Sequence, residues 1–300
     1  MHNKLLIIIV TYNAMKWIDK CITSVISSSI ASDIYVVDNG STDGTVEYMK
    51  NNYSNVIFHK AEANLGFGKA NNLGMQYAIN KGYDYVYLLN QDAWVKEDTF
   101  EKLISINRLH PAFGILSPMQ LTASEGFIDN QFGKLVCSWE YNKNILNDFY
   151  FSNIQDVYEV PGVMAAHWLI SKECLKTVGG FSPAFPHYGE DDNYAQRARY
   201  HGFKLGIVPS TVAVHDREYR VDSKEKKSYL CYIRYIDIVS NITDTKGQYG
   251  KRIFNLFLKS MGQYSKSKSL YYLYHLVCNL SKIKKYKHTS QLKGAFLSIE

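Results

Sequence analysis

Only six prolines interrupt the 300 residues, and no internal repeat or low-complexity tract appears, so the chain reads as globular. Long apolar runs are missing as well. The longest near the start, LLIIIV at residues 5–10, falls far below the ~20 residues that span a bilayer and lacks the length and cleavage site of a secretory signal. Cysteine is sparse and unpatterned: Cys21, Cys137, Cys174, Cys231 and Cys278 are odd in number and form no C-x-x-C pair. That argues against a disulfide framework and a structural zinc site, and predicts reduced thiols in a cytoplasmic protein. Acidic residues are nearly absent from one end. Residues 246–300 hold 11 Lys and Arg against Glu300 alone, a net +10, whereas residues 1–245 carry −4. An anionic partner is therefore expected for the tail and not for the main body.

What is present suits one large domain, or one domain with an appendage: 46% hydrophobic and 21% charged residues. The 24 tyrosines fit sugar-stacking surfaces or a membrane interface, although core packing accounts more simply for most of them. Residues 4–10 predict a buried strand, and TYNAMKWIDKCITSVISS after it has helical apolar spacing. DIYVVDNG, NVIFHKAEAN and YDYVYLLNQD predict three more strands. Helices are expected from STDGTVEYMKNN, with Ser41, Thr42 or Asp43 as N-cap, from GKANNLGMQYAINKG, closed by Gly82, and from KEDTFEKLISINRLH. This alternation indicates a mostly parallel sheet with helices on both faces. Residues 120–160 lose the rhythm and read as irregular. Order returns with a strand and helix ending at Gly179-Gly180, a helix in YGEDDNYAQRARYHG, edge strands in KLGIVPSTVAVHD, and helix alone beyond about Asp222.

Ligands of such sheets sit at the carboxyl ends of the strands, where Asn13, Asp38, Asn64 and Asp92 converge. In VVDNGSTDGT, Asp38 is placed either to accept a base N–H or merely to cap a turn; its neighbours are all turn formers. In NLGFGKANNLG, Gly66, Gly68 and Gly74 permit close backbone approach at a helix N-terminus that favours a diphosphate, with Lys69 adding charge; a tight strand-to-helix turn explains the glycines equally. This is neither a dinucleotide fingerprint nor a P-loop. Glu190-Asp191-Asp192 in HYGEDDNYAQR is either a catalytic acid cluster or a solvated helix start that complements the dipole.

In this order IIIVTYN, VVDNGSTDGT, NLGFGKANNLG, LLNQDAWV and GGFSPAFPHYGEDDNYAQRARYHGFKLGIVPSTVAVH resemble the family 2 glycosyltransferases, inverting enzymes of the GT-A nucleotide-sugar fold. The resemblance covers about residues 4–220, and NQDA and ANNLG look more like the bacterial rhamnosyltransferase-like subgroup than the processive synthases, whose Q-x-x-R-W motif and membrane helices are also missing. It implies an α/β GT-A fold over 1–222, with nucleotide-sugar binding in 1–118 and acceptor binding and base in 119–222, and a basic helical region over 223–300. The donor is expected to meet Thr11, Tyr12, Asn13, Asp38, Asn39, Asn64, Gly66, Lys69, Asn72, Asn90 and Gln91. Asp92 occupies the metal-binding end of a D-x-D motif whose first acid is here Asn90, and His215 completes the site in some relatives; the implied cofactor is Mn²⁺ or Mg²⁺. Asp191 is the implied base and Glu190 helps position the acceptor or that base, with Arg197 pairing with the acids or facing the diphosphate.

The implied activity moves one sugar from a UDP- or dTDP-sugar to a saccharide acceptor, as in surface-polysaccharide or O-antigen synthesis on a lipid carrier. A nucleotide-sugar-binding protein without turnover and a sugar nucleotidyltransferase are the rival readings. In the tail, Ile253, Leu256 and Phe257 share one helical face, as do Leu270, Leu273, Tyr274 and Val277, with lysines flanking both. That pattern fits an anionic membrane surface at the inner face of the cell membrane; a packed appendage and nucleic acid are the alternatives, and nucleic acid is not expected.

Overall fold

The computed structural model describes residues 4–136, 145–217, 222–244 and 249–298, which leaves Cys137, Lys246 and Glu300 outside. Leu5–Thr11 (β1) is buried along nearly its whole length, as a parallel strand covered by helices on both faces must be. Ile18–Ile26 (α1), Asp33–Asp38 (β2), Thr45–Asn52 (α2), Ile57–Lys60 (β3), Phe67–Lys81 (α3) and Tyr85–Asn90 (β4) follow in the expected alternation. Gly82 ends α3 in the left-handed conformation, at φ 73°. The N-cap of α2 is Gly44 instead of a side-chain capper. Ser41 and Thr42 are engaged by the loop of Asn13, and Asp43 accepts from the Thr45 amide and hydroxyl.

Ala93–Val95 (β5), Thr99–Leu109 (α4) and Phe113–Leu121 (β6) come next. The stretch expected to be irregular contains short elements: Asn130–Val136 (α5), Ile145–Tyr150 (α6) and Tyr158–Val160 (β7). His167–Ser171 (β8), Lys172–Val178 (α7), Glu190–Tyr200 (α8) and Lys204–His215 (β9) complete the sheet half of the chain. The sheet order is β3-β2-β1-β4-β8-β6-β9-β5, with β7 also paired to β9. Hence KLGIVPSTVAVH is one interior strand, not a set of edge strands. Its register against β6 jumps between Pro118↔Val208 and Met119↔Val212, so the irregularity around Pro209 is absorbed without ending the strand.

Register decides what meets at the rim. Thr11 pairs with Asp38 and Val10 with Asn90 across parallel neighbours, while Leu89 pairs with His167 at the start of antiparallel β8. β6 and β9 run parallel to each other and antiparallel to β8, so the last residue of β9, His215, reaches the same rim. Two cores fill the two faces of the sheet, one around Ile8, Leu88 and Trp168, the other around Ile7, Tyr87 and Phe100. A third core joins Lys224–Ser240 (α9), Tyr249–Gln263 (α10) and Lys266–Thr289 (α11) to Ala184 and Phe185, from the loop before α8. The chain then returns to the sheet domain: Ala295 O accepts from the Gly180 amide, and Ser298 exchanges hydrogen bonds with Gln76 of α3. Among the described residues no helix is long and apolar enough to cross a membrane.

Candidate active site

The antiparallel pair Ala93↔His215 sets Asp92 beside the end of β9, and the Asp216 amide donates to Asp92 O at 2.8 Å. Asp92 Oδ1 and His215 Nε2 then stand 3.4 Å apart. Burial works against the Asp92 carboxylate, but the His215 bond and charge, helped by Arg217, hold its pKa below the usual carboxylate range. His215 is buried and its Nδ1 has no partner. Beneath it lies His167, whose Nδ1 accepts from the Tyr87 hydroxyl and whose Nε2 faces the Val214 carbonyl. A carbonyl only accepts, so Nε2 carries the proton, and burial lowers the His167 pKa to about 3. His167 is thus a neutral support for the strand end that carries His215.

An anionic oxygen and an imidazole nitrogen at this separation fit two adjacent ligands of one divalent ion, which takes ligands at about 2.1 Å. Among the described residues no third His, Cys, Asp or Glu joins them. The donor set is therefore that of a cation whose remaining ligands are phosphate oxygens and water.

The acid cluster opens α8. Gly189 caps the helix at φ 79°, and a Cβ there would meet Ile233 Cγ2 at 2.6 Å, so glycine is required twice over. Glu190 is buried and its Oε2 has no partner; burial, with the charges of Asp191 and Asp192, raises its pKa to about 8. Burial also raises the pKa of Asp191, against the pull of the Asp192 and Ala165 amides and of Arg217. The next residue, Ala166, accepts from the Asn90 amide at 3.1 Å, which brings Asp191 close to the end of β4. One guanidinium, Arg217, acts on both Asp92 and Asp191, with its Nε 3.9 Å from Asp129. The two carboxylates therefore share one neighbourhood at the rim. Motif reading passed over Arg217, although it lies two residues beyond His215.

The donor side is more braced than the motifs suggested. Asp38 is fully buried, and its two oxygens accept from the Thr11 hydroxyl, the Gly40 and Ser41 amides and the Ser41 hydroxyl. A base N–H reaching it would have to displace one of these donors. Asn39 donates to Gly66 O and accepts from the Leu65 amide, while Asn64 accepts from the Gly66 amide. Asn13, at φ 53°, accepts from the Thr42 amide. Gln91 exchanges two hydrogen bonds with the backbone of Tyr12, whose ring is half exposed. Lys69 is exposed and Asn90 half-buried.

Two expectations need correction. Asn72 points away from the donor side: it accepts from the Phe181 amide at 2.7 Å and donates to Phe181 O at 3.0 Å, clamping α3 to the turn after α7. Arg197 neither pairs with the acids nor faces a diphosphate. It is fully buried, donates to Gly180 O and Val178 O, and packs against the rings of Tyr194 and Phe296. The glycines of the 64–74 stretch also admit the loop that leads into α8. A Cβ at Gly66 would stand 2.7 Å from Pro186 O, and one at Gly68 would stand 3.0 Å from Phe181 Cβ.

The chain is 25% identical over 242 residues to N-acetylglucosaminyl-diphospho-decaprenol L-rhamnosyltransferase of Mycobacterium tuberculosis, covering 72% of this chain and 77% of the relative. It is 30% identical over 106 residues to the glycosyltransferase GlyA of Streptococcus pneumoniae, a match spanning 34% of this chain and only 15% of that relative. The structure of GalNAc-T7 with UDP, GalNAc and Mn²⁺ superposes with a TM-score of 0.63 at 15% identity, over 97% of this chain and 55% of the other. That likeness supports the expected GT-A fold. The profile of glycosyl transferase family 2 matches residues 6–175, and the chain belongs to that family.

Proposed function

We propose that this protein is an inverting transferase that moves a single sugar from a UDP- or dTDP-sugar to a saccharide acceptor on a lipid carrier, in the assembly of a surface polysaccharide such as an O-antigen. The observation that carries the reading is the convergence of Asp92 and Asp191 on one rim: Ala93 pairs with His215, while the Ala165 amide donates to Asp191 and the next residue, Ala166, accepts from Asn90, and inversion needs a leaving-group site and a base side by side. Asp191 takes the proton of the acceptor hydroxyl as that oxygen bonds to the anomeric carbon. The bond from that carbon to the diphosphate breaks on the opposite face, its electron pair leaving with the nucleoside diphosphate. Asp92 and His215 would hold a divalent ion, Mn²⁺ or Mg²⁺, which would supply charge neutralisation at the diphosphate. Burial and the neighbouring Asp191 and Asp192 carboxylates raise the Glu190 pKa to about 8, so Glu190 keeps its proton beside the base. The mycobacterial relative is named for a lipid-linked saccharide acceptor and GalNAc-T7 was solved with UDP and Mn²⁺, which supports the acceptor and donor classes.

The basic tail suits a peripheral position at the inner face of the cell membrane, in α10 on a different face from the one expected. Ile253, Leu256, Phe257 and Leu273 pack in the third core, whereas Phe254 and Leu258 of α10 and Leu270, Tyr274 and Val277 of α11 are exposed among lysines. Flotation with vesicles containing anionic lipid checks this; failure of the whole protein to float ends it. For the chemistry, Asp191→Asn is expected to lower transfer about a thousandfold with UDP affinity within about twofold. Asp92→Ala is expected to remove the Mn²⁺ dependence of UDP binding by calorimetry. Retained transfer in the first variant, or an unchanged Mn²⁺ effect in the second, refutes the corresponding assignment.

A further inference from the structure

A chain of aromatic rings leads from the catalytic loop across the C-terminal helices. Tyr188 stands two residues before Glu190, exposed and in the left-handed region at φ 67°. Its ring is 6.5 Å from Tyr229 of α9, and Tyr229 is 5.7 Å from Tyr272 of α11. Tyr232 stacks on Tyr272 at 5.3 Å and 17°, and Tyr271 continues the series at 5.3 Å. The Tyr229 hydroxyl donates to His187 O at 3.0 Å, fastening α9 directly to the loop that presents the acids. The inner rings are half-buried, while the ends show 40% exposure at Tyr188 and 50% at Tyr271. Each end lies beside an ammonium: Lys226, itself paired with Asp222 at 2.6 Å, is 5.6 Å from the Tyr188 ring, and Lys268 is 5.6 Å from that of Tyr271.

We infer that this strip is the acceptor-binding subsite, and that α9 and α11, beyond the 6–175 match to the family profile, recognise the acceptor saccharide. Tyrosine offers an apolar ring face for the C–H face of a sugar and a hydroxyl for its polar edge, at little entropic cost. The steps between rings are about the breadth of a pyranose, so an oligosaccharide lying along them presents its terminal hydroxyl at Asp191. The end rings also meet His187 at 4.0 Å and His275 at 4.2 Å, yet both stay open to solvent at the two ends of the strip. The inference rests on the transferase reading for its occupant, but its test does not.

The probes are a panel of short-chain alkyl glycosides and alkyl diphosphate glycosides, followed by saturation-transfer NMR and titration, with UDP titrated separately. Tyr188→Ala and Tyr271→Ala are expected to weaken glycoside binding about tenfold each, with UDP affinity unchanged and Tyr271→Phe close to wild type. Both end rings are exposed, so their removal spares the fold. Glycoside affinity within about twofold of wild type in both alanine variants overturns the strip, as does a wild type that binds UDP and no glycoside. Glycoside binding lost in the variants, with no transfer by wild type from any UDP- or dTDP-sugar, supports the strip and sinks the transferase reading alone.

Discussion

At Glu190 the protein buries a carboxyl oxygen that meets no donor. Its pKa is raised from 4.5 to about 8, so between those values the folded form keeps a proton that the unfolded chain has released. Stability from this group is therefore fully present below about pH 4.5 and is lost as pH rises toward 8. Glu190→Gln, which keeps the shape and removes the charge, is expected to raise the melting midpoint at pH 9 by an amount worth on the order of 2 kcal/mol, and to change nothing at pH 4. A pH-independent difference would mean that packing, not charge, sets the cost. At this scale the sequence spoke clearly where motifs named both partners: Asp92 and His215, far apart in the chain, were each nominated by motif and are brought together by one strand pair. It misled where the partner was main chain. Asn72 and Arg197 sat in a donor motif and beside an acid cluster, yet their hydrogen bonds go to backbone around residues 178–181, which local pattern does not encode.

Helices and strands were legible because burial on both faces of a parallel sheet forces runs such as LLIIIV and helical spacing between them. β9 was harder to read. Pro209 and Ser210 look like a break, yet the sheet accommodates them as an irregularity within one interior strand. Element ends carry a testable distinction between two left-handed glycines that flank α3. Gly82 has nothing within 4 Å of a Cβ, so Gly82→Ala is expected to cost only the conformational strain, about 1 kcal/mol, with transfer intact. Gly66 has φ 78° and the Pro186 carbonyl 2.7 Å from its Cβ position. Gly66→Ala is expected to push the 186–190 loop away, lowering kcat at least tenfold beyond any loss of stability. Equal melting shifts and equal kcat in the two variants would show that the glycine loop does not position the catalytic loop.

The whole molecule closes on itself through its last described residues. Gly294 donates to Thr177 O, Ala295 O accepts from Gly180, and the Phe296 ring lies 4.9 Å from the Arg197 guanidinium. Ser298 ties the same stretch to Gln76. These contacts seal a buried cation whose donors hold the turn that Asn72 also clamps, so the helical region supports the acid loop from behind as well as from the side. Shortening the chain by residues 294–300 removes the seal and leaves α9 to α11 in place, apart from the 6.1 Å contact between the Phe296 and Tyr286 rings. The buried guanidinium then loses its cover, and two turn-forming hydrogen bonds go with it, a cost on the order of 3 kcal/mol. A domain of this size should melt roughly 5–10 °C lower as a result. The loss should be larger than for Phe254→Ser, which changes only an exposed ring on α10. Restoring Gly294 through Ser298 should recover most of the midpoint, since the contacts described above lie within that stretch. A shortened chain that melts within about 1 °C of the full one would show that the sheet domain holds its acid loop without help from the chain's return.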